Sequence, residues 1–138
     1  SLHYLREVLA RLHKTQQGVR VPSIVHTRGG GQWLSPLADS GADALGLDWT
    51  CDLALARQLV GNNVALQGNL DPTVLLADEA CIRREVRRNL QAFGPPAGGF
   101  GHVVNLGHGI SPATSPEAVA VLVDAVHHYS RVAGGVHA

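Results

Sequence analysis

The sequence predicts an α/β fold corresponding to the C-terminal half of a (β/α)8 TIM barrel: four parallel strands alternating with helices. Three observations carry this. Apolar, strand-like runs alternate four times with helical stretches, and each run ends in a loop bearing Gly, Asp or His. No Gly-x-Gly-x-x-Gly follows any of the runs, as a dinucleotide-binding open sheet would have it. Such units either close into a barrel of ~250 residues or lie in an open doubly wound sheet of ~150. The length of 138 residues favours the open sheet. The polar residues favour the barrel, because they collect at the ends of all the strands, as on a barrel's active face.

The elements follow in order. Leu2, Leu5, Val8, Leu9 and Leu12 recur at helical spacing with charged residues between them, and Gly18 stands where a C-terminal cap would. Val19 to Thr27 reads as the first strand, buried and parallel, with Pro22 near its beginning and its core near residues 21 to 27. Gly29-Gly30-Gly31 ends it. A short helix over Gln32 to Ser40 tolerates Pro36 only in its first turn, and Gly41 closes it. The second strand is expected near residues 43 to 48 and the second helix over Thr50 to Val60, stopped by Gly61-Asn62-Asn63. The third strand falls near residues 64 to 68, after which Asp71-Pro72 turns the chain into a helical region reaching Phe93. Ile82, Val86, Leu90 and Phe93 form its inner stripe, with Arg83, Arg84, Arg87 and Arg88 outside. A loop over 94 to 99 leads to the fourth strand, near residues 101 to 106. Thr114-Ser115-Pro116-Glu117 matches a capping box for the last helix, whose buried face is Val119, Leu122, Val123 and Val126. The end of the chain, residues 134 to 138, reads as a frayed tail.

Composition narrows the function. Hydrophobic residues make up 45% and charged residues 16%, an ordinary globular balance with room for one cored domain over residues 1–138. Lys+Arg and Asp+Glu both number 11, so no global field draws in nucleic acid or an anionic membrane, and an anion site has to be local. The arginines of the long helix lack interleaved aromatic residues and read as a solvated face. No apolar run approaches the ~20 residues of a membrane span. Cys51 and Cys81 lie far apart, which favours two reduced core thiols and a cytosolic chain. Ser1 opens directly inside a helical pattern, so the chain reads as a piece of something longer.

The chemistry centres on Asn105-Leu106-Gly107-His108-Gly109-Ile110, where a strand stops and two glycines bracket one histidine. The glycines allow positive φ or a close approach to a ligand, and the imidazole projects at the rim; a simple turn with a solvated side chain has the same pattern. Asp48, Gln67, Asn69 and Asp71 also stand at strand ends. They line a cavity or, for the two aspartates, cap the helices that follow; the proline after Asp71 favours the cap there.

The segments Gly29-Gly-Gly-Gln-Trp-Leu34, Gly46-Leu-Asp-Trp-Thr50, Val64-Ala-Leu-Gln-Gly-Asn-Leu-Asp-Pro72 and Asn105-Leu-Gly-His-Gly-Ile110, in this order, resemble the C-terminal part of the uroporphyrinogen decarboxylase family. Val126-His-His-Tyr-Ser130 is similar to that family's last helix. The resemblance covers nearly the whole chain. It implies a cytoplasmic barrel enzyme, a homodimer when complete, that takes a tetrapyrrole substrate and needs no cofactor and no metal. Its reaction is the decarboxylation of the acetate side chains of uroporphyrinogen III to coproporphyrinogen III. It further implies that His108 binds a substrate carboxylate and that Arg28 occupies a commonly basic position, facing the anionic substrate or simply lying at the surface. The family residues nearest the reacting carbon precede the segment present here, so no catalytic residue is assigned on this chain, and alone it is expected to be inactive and marginally stable.

Two other readings remain open. A related barrel group transfers methyl groups from corrinoids and holds zinc with His-x-Cys and a further cysteine. Here His26-Thr27-Arg28 and His108 put arginine and histidine where those thiolates would be, and neither Cys51 nor Cys81 is expected in a strand-end loop, so no zinc binding is expected. The other reading is a non-catalytic half-barrel that serves as a binding or assembly module.

Overall fold

The computed structural model describes residues 1–94 and 101–134, with side chains described to residue 131. The predicted loop beyond Gly94, Phe100 and the end of the tail lie outside the described residues. Helix α1 (Leu2–Arg11) is followed by a two-stranded antiparallel hairpin, β1 (Thr15–Gln16) and β2 (Val19–Arg20). Then come β3 (Ile24–His26), a 3-10 turn (Gly30–Trp33) running into α2 (Leu34–Ala38), β4 (Ala44–Gly46) and α3 (Leu53–Val60). A further set comprises β5 (Ala65–Gln67), a 3-10 turn (Pro72–Leu76), α4 (Glu79–Phe93), β6 (His102–Val103) and α5 (Pro116–Gly134). Strands β3, β4, β5 and β6 form one sheet in chain order, every neighbouring pair parallel. A parallel bridge from Leu70 to Leu106 prolongs the last pairing toward the strand ends. This succession of four βα units is half of an eight-stranded barrel, as the alternation predicts.

Alternation along each strand separates two faces. Val25, Leu45 and Leu66 are side by side in register and buried in a core with Leu34, Leu37, Leu53, Ala56, Val60 and Phe93, on the helix-covered face. Their neighbours along the strands point the other way: Ile24, Ala44 and Ala65 form one row, and His26, Gly46, Gln67 and Val103 the next. Ile24 and Val103, at the two edges, are about half exposed. This bare face is the side that points into a closed barrel. A second core joins Leu70, Leu75, Ile82 and Val86 to Ala125 and the adjoining side chains of α5.

Several local expectations are corrected. The first helix ends at Arg11, and Gly18 does not cap it: Gln17 and Gly18, with φ of 50° and 79°, make the tight turn of the β1–β2 hairpin. Residues 19 and 20 therefore belong to that hairpin and not to β3. Arg20 pairs with Asp43, whose other oxygen accepts from the Ser23 amide at 2.7 Å and its hydroxyl at 3.0 Å. That contact fastens the hairpin to the bottom of the sheet; the Ser23 amide, with the hydroxyl and Arg20 adding to it, holds the Asp43 carboxyl below its usual range. The second helix starts at Leu53, because Asp52 accepts from the Leu55 amide and caps it there. Asp78 likewise caps α4, splitting the region expected to be continuous from Asp71. The last helix is capped by Ser115, which accepts from Ala118, one residue later than the predicted box. On α5 it is Ala125 that is fully buried, while Val123 is about half exposed. The cysteines are free but only partly buried, short of the expected core thiols. Among the described residues no helix is long and apolar enough to cross a membrane.

Candidate functional site at the strand ends

The loops after β3, β4, β5 and β6 all leave from one edge of the sheet. The loop after β6 is pinned by two backbone hydrogen bonds: Leu70 donates to the Asn105 carbonyl at 3.1 Å, and Gly107 donates to the Leu70 carbonyl at 2.8 Å. Gly107 is buried against the loop after β4, where an added Cβ would come within 2.2 Å of the Trp49 nitrogen. Its glycine is required by contact between two backbones and not by positive φ, which neither Gly107 nor Gly109 adopts. Around Gly109 a Cβ would meet nothing within 4 Å. The first glycine thus presses the loop onto the scaffold and the second leaves the far side of His108 open.

His108 is exposed and makes no hydrogen bond to another described residue. It lines a cleft of about 550 Å³ together with His26, Gly46, Gln67, Asn105 and Ile110, among others. Among the described residues no Asp or Glu lines this cleft, so its polar groups are imidazoles, amides and backbone. Such a set suits an anion, because imidazole and carboxamide N–H groups donate while no carboxylate repels. Gln67 therefore lies where the sequence places it, on the inner face at the mouth.

Asp48 and Asn69 do not line this cleft. Asp48 is 5% exposed; its Oδ1 accepts from the Thr50 amide at 2.9 Å and the Thr50 hydroxyl at 2.5 Å, and its Oδ2 from the Gly29 amide. The Thr50 hydroxyl first, then the Gly29 and Thr50 amides, hold its carboxyl below the usual range against the opposing effect of burial. Asp48 thereby straps the loop after β3 to the loop after β4, and it is not the cap of α3. Asn69, equally buried, donates from Nδ2 to the carbonyls of Asp48 at 2.9 Å and Cys51 at 2.5 Å, while its Oδ1 accepts from Asn89. Asp71 caps the turn after it, accepting from the Thr73 amide at 2.9 Å and hydroxyl at 2.8 Å.

Arg28 is exposed and opens onto a separate cleft of about 590 Å³, with Leu2, Leu5, Trp33 and Pro36. Cys51 does lie in a strand-end loop, contrary to expectation, beside Gly31. Burial, followed by the nearby carboxylates of Asp48 and Asp52, pushes its thiol up, which disfavours the thiolate a metal needs. Among the described residues no group of three or more His, Cys, Asp and Glu is arranged to hold a metal ion. His102, which the sequence leaves as part of an apolar strand, is a structural histidine: it stacks on Phe93 at 4.4 Å, with the Arg57 guanidinium 4.9 Å from that same ring, and its Nε2 meets the Gly68 carbonyl at 2.6 Å. Burial lowers its pKa.

Four parallel βα units with an anion-suited cleft at the C-terminal strand ends define a segment of a βα-barrel whose working face is the one on which these loops converge. Residues 1–129 match the family profile described as Uroporphyrinogen decarboxylase (URO-D), and the chain belongs to that family. Over 131 residues, 95% of the chain, it is 60% identical to the uroporphyrinogen decarboxylase of Herminiimonas arsenicoxydans and 61% identical to that of Methylibium petroleiphilum. It spans only about a third of the length of these curated relatives, 36% and 35%. A methyltransferase from Methanosarcina mazei superposes with a TM-score of 0.71 at 22% identity, over 94% of this chain and 35% of that one. At that identity the likeness speaks for the fold alone.

Proposed function

We propose that the chain is the C-terminal part of a uroporphyrinogen decarboxylase barrel, within a complete enzyme that removes CO2 from the acetate side chains of uroporphyrinogen III to give coproporphyrinogen III. The observation that carries the reading is His108: an imidazole without an internal partner, at the strand ends, in a cleft free of carboxylates. Its N–H donates to a carboxylate of the substrate, which fixes the macrocycle for reaction. The chemistry itself needs a proton placed on the ring carbon next to the one that carries the acetate, so that the acetate-bearing carbon becomes part of a ring cation. That cation accepts the electron pair left when the C–CO2 bond breaks, giving an exocyclic methylene; a proton added to the methylene completes the methyl group, and loss of the first proton from the ring restores the pyrrole. With no carboxylic acid in the cleft lining, the proton donor and the group facing the pyrrole N–H come from the rest of the barrel, so the isolated chain is inactive. The complete enzyme works as a cytoplasmic homodimer, without cofactor or metal.

The test compares His108→Asn with His108→Ala in the complete enzyme. A lost hydrogen bond to a charged group costs ~1.5 to 3 kcal/mol, roughly tenfold to 150-fold in kcat/KM. His108→Ala is expected to fall in that range and His108→Asn, which keeps a donor, to fall less. Near-complete loss in both with substrate binding intact would make His108 the proton donor, and wild-type rates in both would return it to a solvated turn.

A further inference from the structure

The alternation of β3 buries Val25 among the helices and turns His26 onto the bare face, where it is exposed and has no hydrogen-bond partner among the described residues. Its register neighbour on β4 is Gly46, and the next on β5 is Gln67. A Cβ at Gly46 would lie 3.0 Å from the His26 Nδ1 and 3.1 Å from its Cβ, so the missing side chain at 46 is what lets the imidazole lie across the sheet. His26 and His108 line the same acid-free cleft. His26 stands on β3, whereas the loop that carries His108 leaves β6 and folds back over the loop after β4, where Gly107 meets the Trp49 backbone. The cleft is therefore offered two free imidazoles by two different elements of the chain.

We propose that His26 is a second carboxylate-binding residue of this cleft, donating to the acidic groups of the ligand alongside His108. The ligand class is an anion with more than one carboxylate, because the cleft offers two free imidazoles and, among the described residues, no carboxylate that would repel it. Gln67, in register with His26 across Gly46, adds an amide donor. The Asp48 carboxylate, at the end of the neighbouring strand, is buried and already accepts three hydrogen bonds, so it leaves the imidazole for the ligand. Arg28, two residues on, belongs to the other cleft and does not duplicate this role. The assignment rests on the decarboxylase reading for the identity of the ligand, though not for its charge.

The experiment uses the complete enzyme and two readouts: turnover of uroporphyrinogen, and binding of uroporphyrin, its unreactive oxidised octacarboxylate, followed by tryptophan fluorescence quenching. His26→Phe keeps a planar ring without a donor and is expected to weaken uroporphyrin binding and raise KM by roughly tenfold or more, with a smaller change in kcat. His26→Gln, which restores a donor, is expected to recover most of the loss. In the His26→Phe, His108→Ala double variant the two losses are expected to multiply, as they do for groups gripping different parts of a ligand. Unchanged uroporphyrin affinity in His26→Phe, a KM effect that Gln does not rescue, or a double variant no worse than the weaker single one would overturn the assignment. Wild-type enzyme that binds uroporphyrin in a His26-dependent way but releases no CO2 would instead refute the decarboxylase reading and leave the carboxylate site standing; wild-type enzyme that neither binds nor turns over would refute both.

Discussion

Two sets of polar side chains sit within a few residues of the strand ends and behave in opposite ways. Asp48 and Asn69 are buried, and between them they accept or donate six hydrogen bonds, three of which tie the loops after β3, β4 and β5 to one another. His26 and His108 are exposed and make none among the described residues. All four are polar residues at the mouth of a barrel, and position alone does not separate them. Saturation does: a side chain whose hydrogen bonds are spent on neighbouring backbone is scaffold, and one that faces a cleft with its donors free is available to a ligand.

The contrast predicts that scaffold substitutions unfold and cleft-facing ones do not. The largest effect is expected for Gly107→Val, whose side chain would have to occupy space held by the Trp49 backbone. Overpacking of this kind costs ~1 to 3 kcal/mol when neighbours can give, and more when they are backbone; a low yield of folded enzyme, or a strongly lowered midpoint in urea, is the expected result. A Gly109→Ala variant, with nothing within 4 Å of the new methyl, serves as its control and should keep wild-type stability.

Next in size is Asp48→Asn. One amide group cannot accept from both the Thr50 pair and Gly29, since its NH2 would face another donor. A loss of about 1 to 3 kcal/mol is expected near neutral pH, read by denaturant titration. The pH dependence follows from the lowered carboxyl pKa of Asp48. Its stabilisation is present in full above the unfolded value, 3.8, and is lost as pH falls through the still lower folded value. The wild-type advantage over Asp48→Asn should therefore shrink only in acid below about pH 4. A gap that persists unchanged at pH 2 would show that the charge of Asp48 contributes nothing.

The smallest effect concerns His102, whose folded pKa is lowered by burial from the ordinary 6.5. The unfolded chain then binds the proton more readily than the folded one, so stability declines as pH falls from 6.5 toward the folded value and levels off below it. His102→Phe, which keeps the stacking surface against Phe93 but gives up the contact with Gly68, should lose a little stability at pH 8 and show a flatter profile between pH 7 and 5. Parallel profiles for the two proteins would assign that acid sensitivity elsewhere.

Much of this architecture is legible in the sequence because it follows from periodicity. The four apolar runs fall on β3 to β6, and the α4 stripe buries Ile82, Val86 and Phe93 as spaced. What escaped is decided by single contacts. The hairpin at Thr15–Gln16 and Val19–Arg20 has two residues per strand, too few to show a period of two, and its turn depends on a glutamine with positive φ. The cap positions of α3 and α5 depend on which of several adjacent Asp, Ser or Thr residues meets the first free amides. In the cleft, His108 and Gln67 stand where their place at strand ends puts them, while Asp48 and Asn69, at equivalent places, are turned away from it into the loops. His26 carries a readable signal in retrospect: a histidine at the inward phase of a strand whose register neighbour is glycine.

The inward rows of the sheet also bear on how selectivity is shared out along the polypeptide. A filled barrel interior is built from layers of branched side chains. Here the two middle strands contribute Ala44, Gly46 and Ala65 to those layers, and of the inward residues in these rows only Ile24 and Val103, at the edges, are bulky and apolar. This half thus supplies a hollow and its hydrogen-bonding rim but little of the volume that would exclude a ligand of the wrong width. Enlarging Ala44 or Ala65 would narrow the bore from this side.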